Sequence, residues 1–107
     1  MYLVVFEAAV KDLDEMYELT VQKIKDLAMN DHGCLYYVST VDKGREITLS
    51  YWKTEEQIHK WKQNIEYKDA IMMGQSYWYH SYRMQVTRVL DQCKFSAERD
   101  LQTEVSA

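Results

Sequence analysis

An α+β fold with one antiparallel sheet, in the order β-α-β-β-α-β, is the architecture this sequence predicts. Three observations carry it. Two segments show helical periodicity, each opened by a capping signal; four segments are β-rich, two of them joined by a short connection containing glycine; and a length of 107 residues allows one core and no second domain.

Residues 2–10 (YLVVFEAAV) are rich in β-branched and aromatic types and read as the first strand. Val4, Val5 and Phe6 are apolar in succession, so both faces of this strand are expected to be buried. Asp12 or Asp14 can cap the following helix, and Asp12-x-x-Glu15 has the form of a capping box with a carboxylate at the positive end of the helix dipole. The helix runs to about Met29. Leu13, Met16, Tyr17, Val21, Ile24, Leu27 and Ala28 form its apolar stripe, leaving Glu18, Gln22, Lys23, Lys25 and Asp26 to water. Asn30-Asp31-His32-Gly33 stops it, because Asn and Gly tolerate the left-handed conformation that closes a helix end. Strands from about Cys34 to Val41 and from Glu46 to Lys53, connected through Asp42-Lys43-Gly44-Arg45, then form a β-hairpin.

Thr54-Glu55-Glu56-Gln57 is a second capping box, and Ile58, Trp61 and Ile65 mark the buried side of a short second helix. A kink at 64–66 leads to another helical face, Tyr67, Ala70, Ile71 and Gly74, whose small residues permit close packing on a sheet. Residues 78–90 read as a long final strand. Strict alternation sets Trp78, His80, Tyr82, Met84, Val86 and Arg88 on one face, and Tyr79, Ser81, Arg83, Gln85 and Thr87 on the other. Residues 1–90 thus make the domain. The polar stretch 91–107, with Phe95, Leu101 and Val105 as its sizeable apolar groups, reads as a tail that is frayed, weakly helical or docked on a partner chain.

This order is the ferredoxin-like split unit, with helices on one face of the sheet. Apolar and aromatic side chains on both strand faces would leave the other face too large a patch for a monomer, so a homodimer is expected. The formal net charge of -4, without a basic stripe, excludes nucleic acid as the expected partner. No apolar run approaches a membrane span, and Met1 leads directly into Tyr2 to Phe6 without the basic start of a signal peptide, so no membrane partner and a cytoplasmic location are expected. Cys34 and Cys93 lie far apart without metal-ligand spacing and read as two reduced thiols. Three tryptophans, nine tyrosines and six methionines are a heavy load for this length, bound for a core, a pocket or an interface.

Taken in order, Val5-Phe6-Glu7, Ile47-Thr48-Leu49-Ser50-Tyr51-Trp52, Trp61, Tyr67, Ala70, Gly74 and Tyr82-Arg83-Met84-Gln85-Val86 resemble the antibiotic-biosynthesis-monooxygenase family over roughly residues 2–90. The resemblance implies a dimeric α+β barrel, two sheets face to face, with a small-molecule pocket in each protomer between sheet and helices. It implies a role for Trp61 and Tyr67, which stand six residues apart as a Trp and a Tyr do in some oxygenases of the family. Many relatives carry His where this chain has Tyr67. Haem-degrading relatives pair a first-strand Asn with a helix His, where this chain offers Phe6, Glu7 and Ile71, so haem degradation is not expected.

The sequence carries neither a metal-ligand cluster nor a Gly-rich nucleotide loop, so an oxygenase of this kind is expected to use no cofactor and to draw its electrons from the substrate. An electron-rich phenol or hydroquinone would lose a proton, pass an electron to O₂ and recombine to a hydroperoxide that collapses to a quinone. Such chemistry needs an aromatic slot, a proton-transfer group and an anion stabiliser. Trp52, Trp61, Trp78 and Tyr82 are the candidates for the slot. Tyr67 or His80 could move the proton, His80 being the better base because imidazole titrates near pH ~6.5. Arg83 is the candidate anion stabiliser, unless it pairs with Glu7. His80 and Arg83 differ by an odd number and should face opposite ways unless a bulge intervenes. The alternatives are a non-catalytic or regulatory small-molecule-binding homodimer, and a structural dimer with a filled interior.

Overall fold

The computed structural model describes residues 1–97 and contains four strands, β1 (Tyr2–Val10), β2 (Tyr36–Asp42), β3 (Arg45–Trp52) and β4 (Tyr79–Arg88), in one antiparallel sheet of order β2-β3-β1-β4. Three helices, α1 (Glu15–Asp26), α2 (Glu55–Gln63) and α3 (Ile65–Met73), complete the expected α+β ferredoxin-like unit. Leu101 and Val105 of the expected tail lie outside the described residues. Phe95 is exposed.

Local chemistry explains each boundary. Asp14, in extended conformation, caps α1 by accepting from the Tyr17 backbone N–H at 2.9 Å, so the box suggested by Asp12 and Glu15 is not the one used. Leu13 therefore precedes the helix and is exposed, as is Met16, one residue out of phase with buried Tyr17. A π-helical turn, Leu27–Asp31, ends α1, and the Cys34 N–H closes it on the Ala28 carbonyl at 3.0 Å. That contact keeps Cys34 out of β2, which begins two residues later than expected. Lys43 and Gly44, both with positive φ, make the two-residue turn between β2 and β3. The Thr54–Gln57 capping box forms in both directions. Asn64 then leaves helical geometry (ψ 137°) and caps α3 through Glu66 N–H at 2.8 Å. This restart resets the helical phase and turns Ile65, expected in the core, out to solvent at 68% exposure.

The core lies between the helices and one sheet face, with Val4, Ile24, Leu27, Ala28, Trp52, Ile58 and Trp61 at its centre. On the other face Tyr36, Val38 and Ile47 are exposed, and Leu3, Val5, Leu49 and Tyr51 are half-buried. The expectation that β1 is buried on both sides is thus met on the helix side only within one chain. Along β1 and β4, Ala9 pairs with Ser81 but Val10 with Tyr79, so His80 is an extra residue in a bulge. The bulge breaks the expected alternation: Tyr79 joins Tyr82, Met84 and Val86 on the helix-facing side.

Candidate functional site

Alternation along β3 places Glu46, Thr48, Ser50 and Trp52 under the helices, all buried. Next to them lies a cavity of about 70 Å³ between the sheet and helices α1 and α3. Phe6, Tyr37, Trp61, Tyr67 and Tyr79 supply its aromatic walls. Half-buried Thr20 and Val21 on α1 and Ala70 and Ile71 on α3 line it on the helix side.

Glu46, 4% exposed, is the one carboxylate on the wall among the described residues. Its Oε1 accepts from the Tyr17 hydroxyl at 2.5 Å and the Tyr79 hydroxyl at 2.6 Å, and its Oε2 from the Thr48 hydroxyl at 2.9 Å. Thr48 spends its proton on Glu46, so Ser39, 2.7 Å away, donates to Thr48. These hydroxyls replace the water that burial strips from the carboxylate. Burial pushes the Tyr17 and Tyr79 hydroxyls well above the usual tyrosine range, and the hydrogen bond to Glu46 adds to it. Burial also raises Tyr37 and Tyr67.

Trp61 packs in tilted contacts, at ring-centroid distances of 4.6 Å from Tyr67 and 5.1 Å from Trp52. Trp52 Nε1 donates to Ser50 Oγ at 2.9 Å and Trp78 Nε1 to Asp14 at 3.2 Å. Trp61 Nε1 has no acceptor, and among the described residues it is the buried side-chain nitrogen or oxygen left without a partner. Two residues of the cavity wall thus differ: Trp61 carries a buried donor without a partner, and Glu46 is held by three donors. Tyr67 is only weakly engaged, its hydroxyl lying 3.4 Å from Met84 Sδ.

Of the residues expected at a site, Trp61 and Tyr67 meet at the cavity. Trp52 packs behind Trp61 and does not line it. Trp78 sits at the end of the π-helical turn that follows α3 (Gly74–Trp78), edge-on to Tyr17 at 5.4 Å. Tyr82 stacks on Phe6 at 5.4 Å and accepts from Gln75, also off the cavity wall. His80 is exposed at the bulge. Arg83 stands directly across from Glu7 on the face turned away from the helices, 3.4 Å from its carboxylate, with Arg45 on the same carboxylate at 3.3 Å. Tyr67, His80 and Arg83 are therefore not assembled in one place within a chain: Tyr67 reaches the cavity from α3, while on β4 His80 is exposed at the bulge and Arg83 points away from the helices. Sequence reasoning passed over Glu46, Tyr17, Tyr37 and Tyr79. The available signal was parity: Glu46 shares the face of Trp52, a tryptophan certain to seek burial. Among the described residues, no group of three or more His, Cys, Asp or Glu is placed to hold a metal ion, and no helix is long and apolar enough to cross a membrane.

No family model matches the sequence. The chain is 34% identical to YqjZ, an uncharacterized protein of Bacillus subtilis, over 89 residues that span 82% of this chain and 78% of that protein. A crystal structure of an antibiotic biosynthesis monooxygenase superposes with a TM-score of 0.68 at 11% identity, covering 85% of this chain and all of that one. SnoaB, a cofactor-independent oxygenase from Streptomyces nogalater, superposes with a TM-score of 0.72 at 5% identity, covering 85% of this chain and 94% of its own. At these identities the structural likeness establishes a shared fold.

Proposed function

Because the chain belongs to the family of Bacillus subtilis YqjZ and has the fold of the antibiotic biosynthesis monooxygenases, we propose that it oxidises a small, electron-rich aromatic compound with molecular oxygen. The substrate's own electrons serve, with no cofactor. The observation that carries this reading is an aromatic cavity one of whose wall residues, Trp61, has a buried Nε1–H without a partner. A phenolic ring lying against Trp61 and Tyr67 would present its oxygen to that N–H, which steadies the negative charge as the phenol gives up its proton. The phenolate passes an electron to O₂, the two radicals combine to a hydroperoxide, and its collapse leaves one oxygen in a quinone carbonyl and one in water. Tyr67, kept protonated by burial, relays the phenol's proton to the peroxide in this reading, so that it ends the step with its own proton restored. His80 and Arg83 take no part inside the cavity of one chain.

At about 70 Å³ the cavity is roughly half the ~150 Å³ that accepts benzene in an engineered protein core. Ring entry therefore goes with an outward shift of the half-buried lining residues Ile71 and Val21. The uncovered sheet face supports a homodimer joined there, in the cytoplasm, as the working form of the enzyme. Oxygen uptake by the purified protein with a panel of phenols and hydroquinones tests the activity: stoichiometric quinone formation is expected. In Trp61→Phe, which keeps a ring and removes the N–H, kcat/KM should fall by about 100-fold. If no panel member consumes oxygen, the oxidation is wrong. Tight binding without turnover would support a non-catalytic, ligand-binding dimer, a reading favoured by the position of His80 and Arg83 outside the cavity.

A further inference from the structure

A groove of about 560 Å³ opens where α2 stands beside the edge strand β4. Val86 and buried Ile58 give it an apolar lining, and Glu55, Glu56, His59 and Lys62 line it from α2. Glu56 is held by Lys60 at 3.1 Å, whereas Glu55 and Lys62 enter no ion pair among the described residues. The segment that follows β4 has matching chemistry. It carries Leu90 and Phe95, at 85% and 84% the most exposed large apolar side chains among the described residues. Asp91 and Lys94 stand between them. The Val89 N–H donates to the Met1 carbonyl at 3.0 Å, carrying the pairing with β1 just past the end of β4. From Leu90 to Phe95 there is no Gly, Pro or Asn to turn the chain back. The radius of gyration of 16.3 Å exceeds the ~13 Å of a compact chain of about 100 residues, as expected of an arm standing off the body.

We propose that this arm docks in the α2–β4 groove of a second copy of the chain, with Phe95 seated on Val86, Lys94 turned to Glu55 and Asp91 to Lys62. Spacing supports the pairing of charges: Lys62 and Glu55 lie about 10 Å apart along the helix, and Asp91 and Lys94 about 10 Å apart along an extended arm. The arm's own groove is out of reach, since a chain running straight on from Val86 sets Phe95 about 30 Å away. By symmetry each copy gives an arm and receives one. A contact of this size does not hold two copies together alone. The proposal therefore rests on the homodimer reading and adds to it a second surface, on the helix side of the sheet.

The test is disulfide trapping in two co-expressed chains. One is the wild type, whose exposed Cys93 lies in the arm; the other, His59→Cys with Cys93→Ser, has a thiol in the groove and none in the arm. Cys34 is buried in both. Mild oxidation should join positions 59 and 93 between the chains, located by mass spectrometry of the digested protein. The yield should exceed by at least about tenfold that of a control chain, Glu18→Cys with Cys93→Ser, because a docked thiol is held at a roughly millimolar effective concentration. Phe95→Ala in the arm-giving chain should bring the yield down to the control. His59, Glu18 and Phe95 are all exposed, so each variant should fold. A bond between 59 and 93 within one chain, formed in dilute His59→Cys, overturns the proposal. A yield equal to the control, or one indifferent to Phe95→Ala, overturns it as well. A protein that scatters light as a dimer and fails the trap loses the arm contact and keeps the homodimer; one that scatters as a monomer loses both.

Discussion

Glu46 is buried in company with three hydroxyls, and the stability of the fold depends on keeping them. Tyr17→Phe or Tyr79→Phe removes one donor and leaves the carboxylate short of a partner, which should cost about 1.5–3 kcal/mol in urea unfolding. The double variant should depart from additivity, because both donors share Oε1. The pH dependence follows from the same burial. Tyr17, Tyr37, Tyr67 and Tyr79 all hold their protons more tightly folded than unfolded, so their contribution is fully present below the unfolded value near pH ~10 and is lost above it, as the unfolded chain ionises first. These four should add nothing to the phenolate absorbance near pH ~10 in the folded protein, and should appear together on unfolding. Trp61 and Tyr67 were legible in the sequence from helical spacing and motif order. Glu46 was not, since a glutamate just after a turn reads as a solvent-facing residue until its parity with Trp52 is weighed. His80 and Arg83 were misplaced with respect to the cavity because one inserted residue defeats parity, and no residue type announces it.

Among the elements, α2 depends most plainly on its cap. Thr54→Ala removes the acceptor for the Gln57 N–H and should lower stability by about 1 kcal/mol, read as a shift in thermal midpoint. The passage from α3 to β4 depends on Gly74, where a Cβ would come within 2.7 Å of the Tyr79 ring. Gly74→Ala should therefore cost about 1–3 kcal/mol and, by displacing Tyr79, weaken ligand binding in the cavity as well. Caps and breaks at Thr54, Asn64 and Gly44 were readable because side-chain chemistry marks them. The two π-helical turns were not readable: a wider backbone hydrogen bond is chosen by packing at the helix end, and Leu27–Asp31 and Gly74–Trp78 share no residue pattern that would signal it.

For the whole molecule, strand number and the layer of helices followed from periodicity, caps and turn residues, because a sheet with one helical cover has few ways to connect β-α-β-β-α-β. In the proposed homodimer a second copy covers the other face of the sheet. Light scattering should give twice the 12.8 kDa of one chain, and Val38→Asp with Ile47→Asp, charges set on the uncovered face, should give one copy without loss of helical signal. Strand order has a further consequence, in time. β1 lies between β3 and β4, so the first strand made gains its second neighbour only when the last one arrives. Contacts this distant in sequence form late and slowly. A chain halted before Tyr79 lacks the Tyr79 and Met84 that line the cavity. The cavity is therefore complete only once β4 has docked, and anything that binds there stabilises the finished fold without guiding the chain toward it.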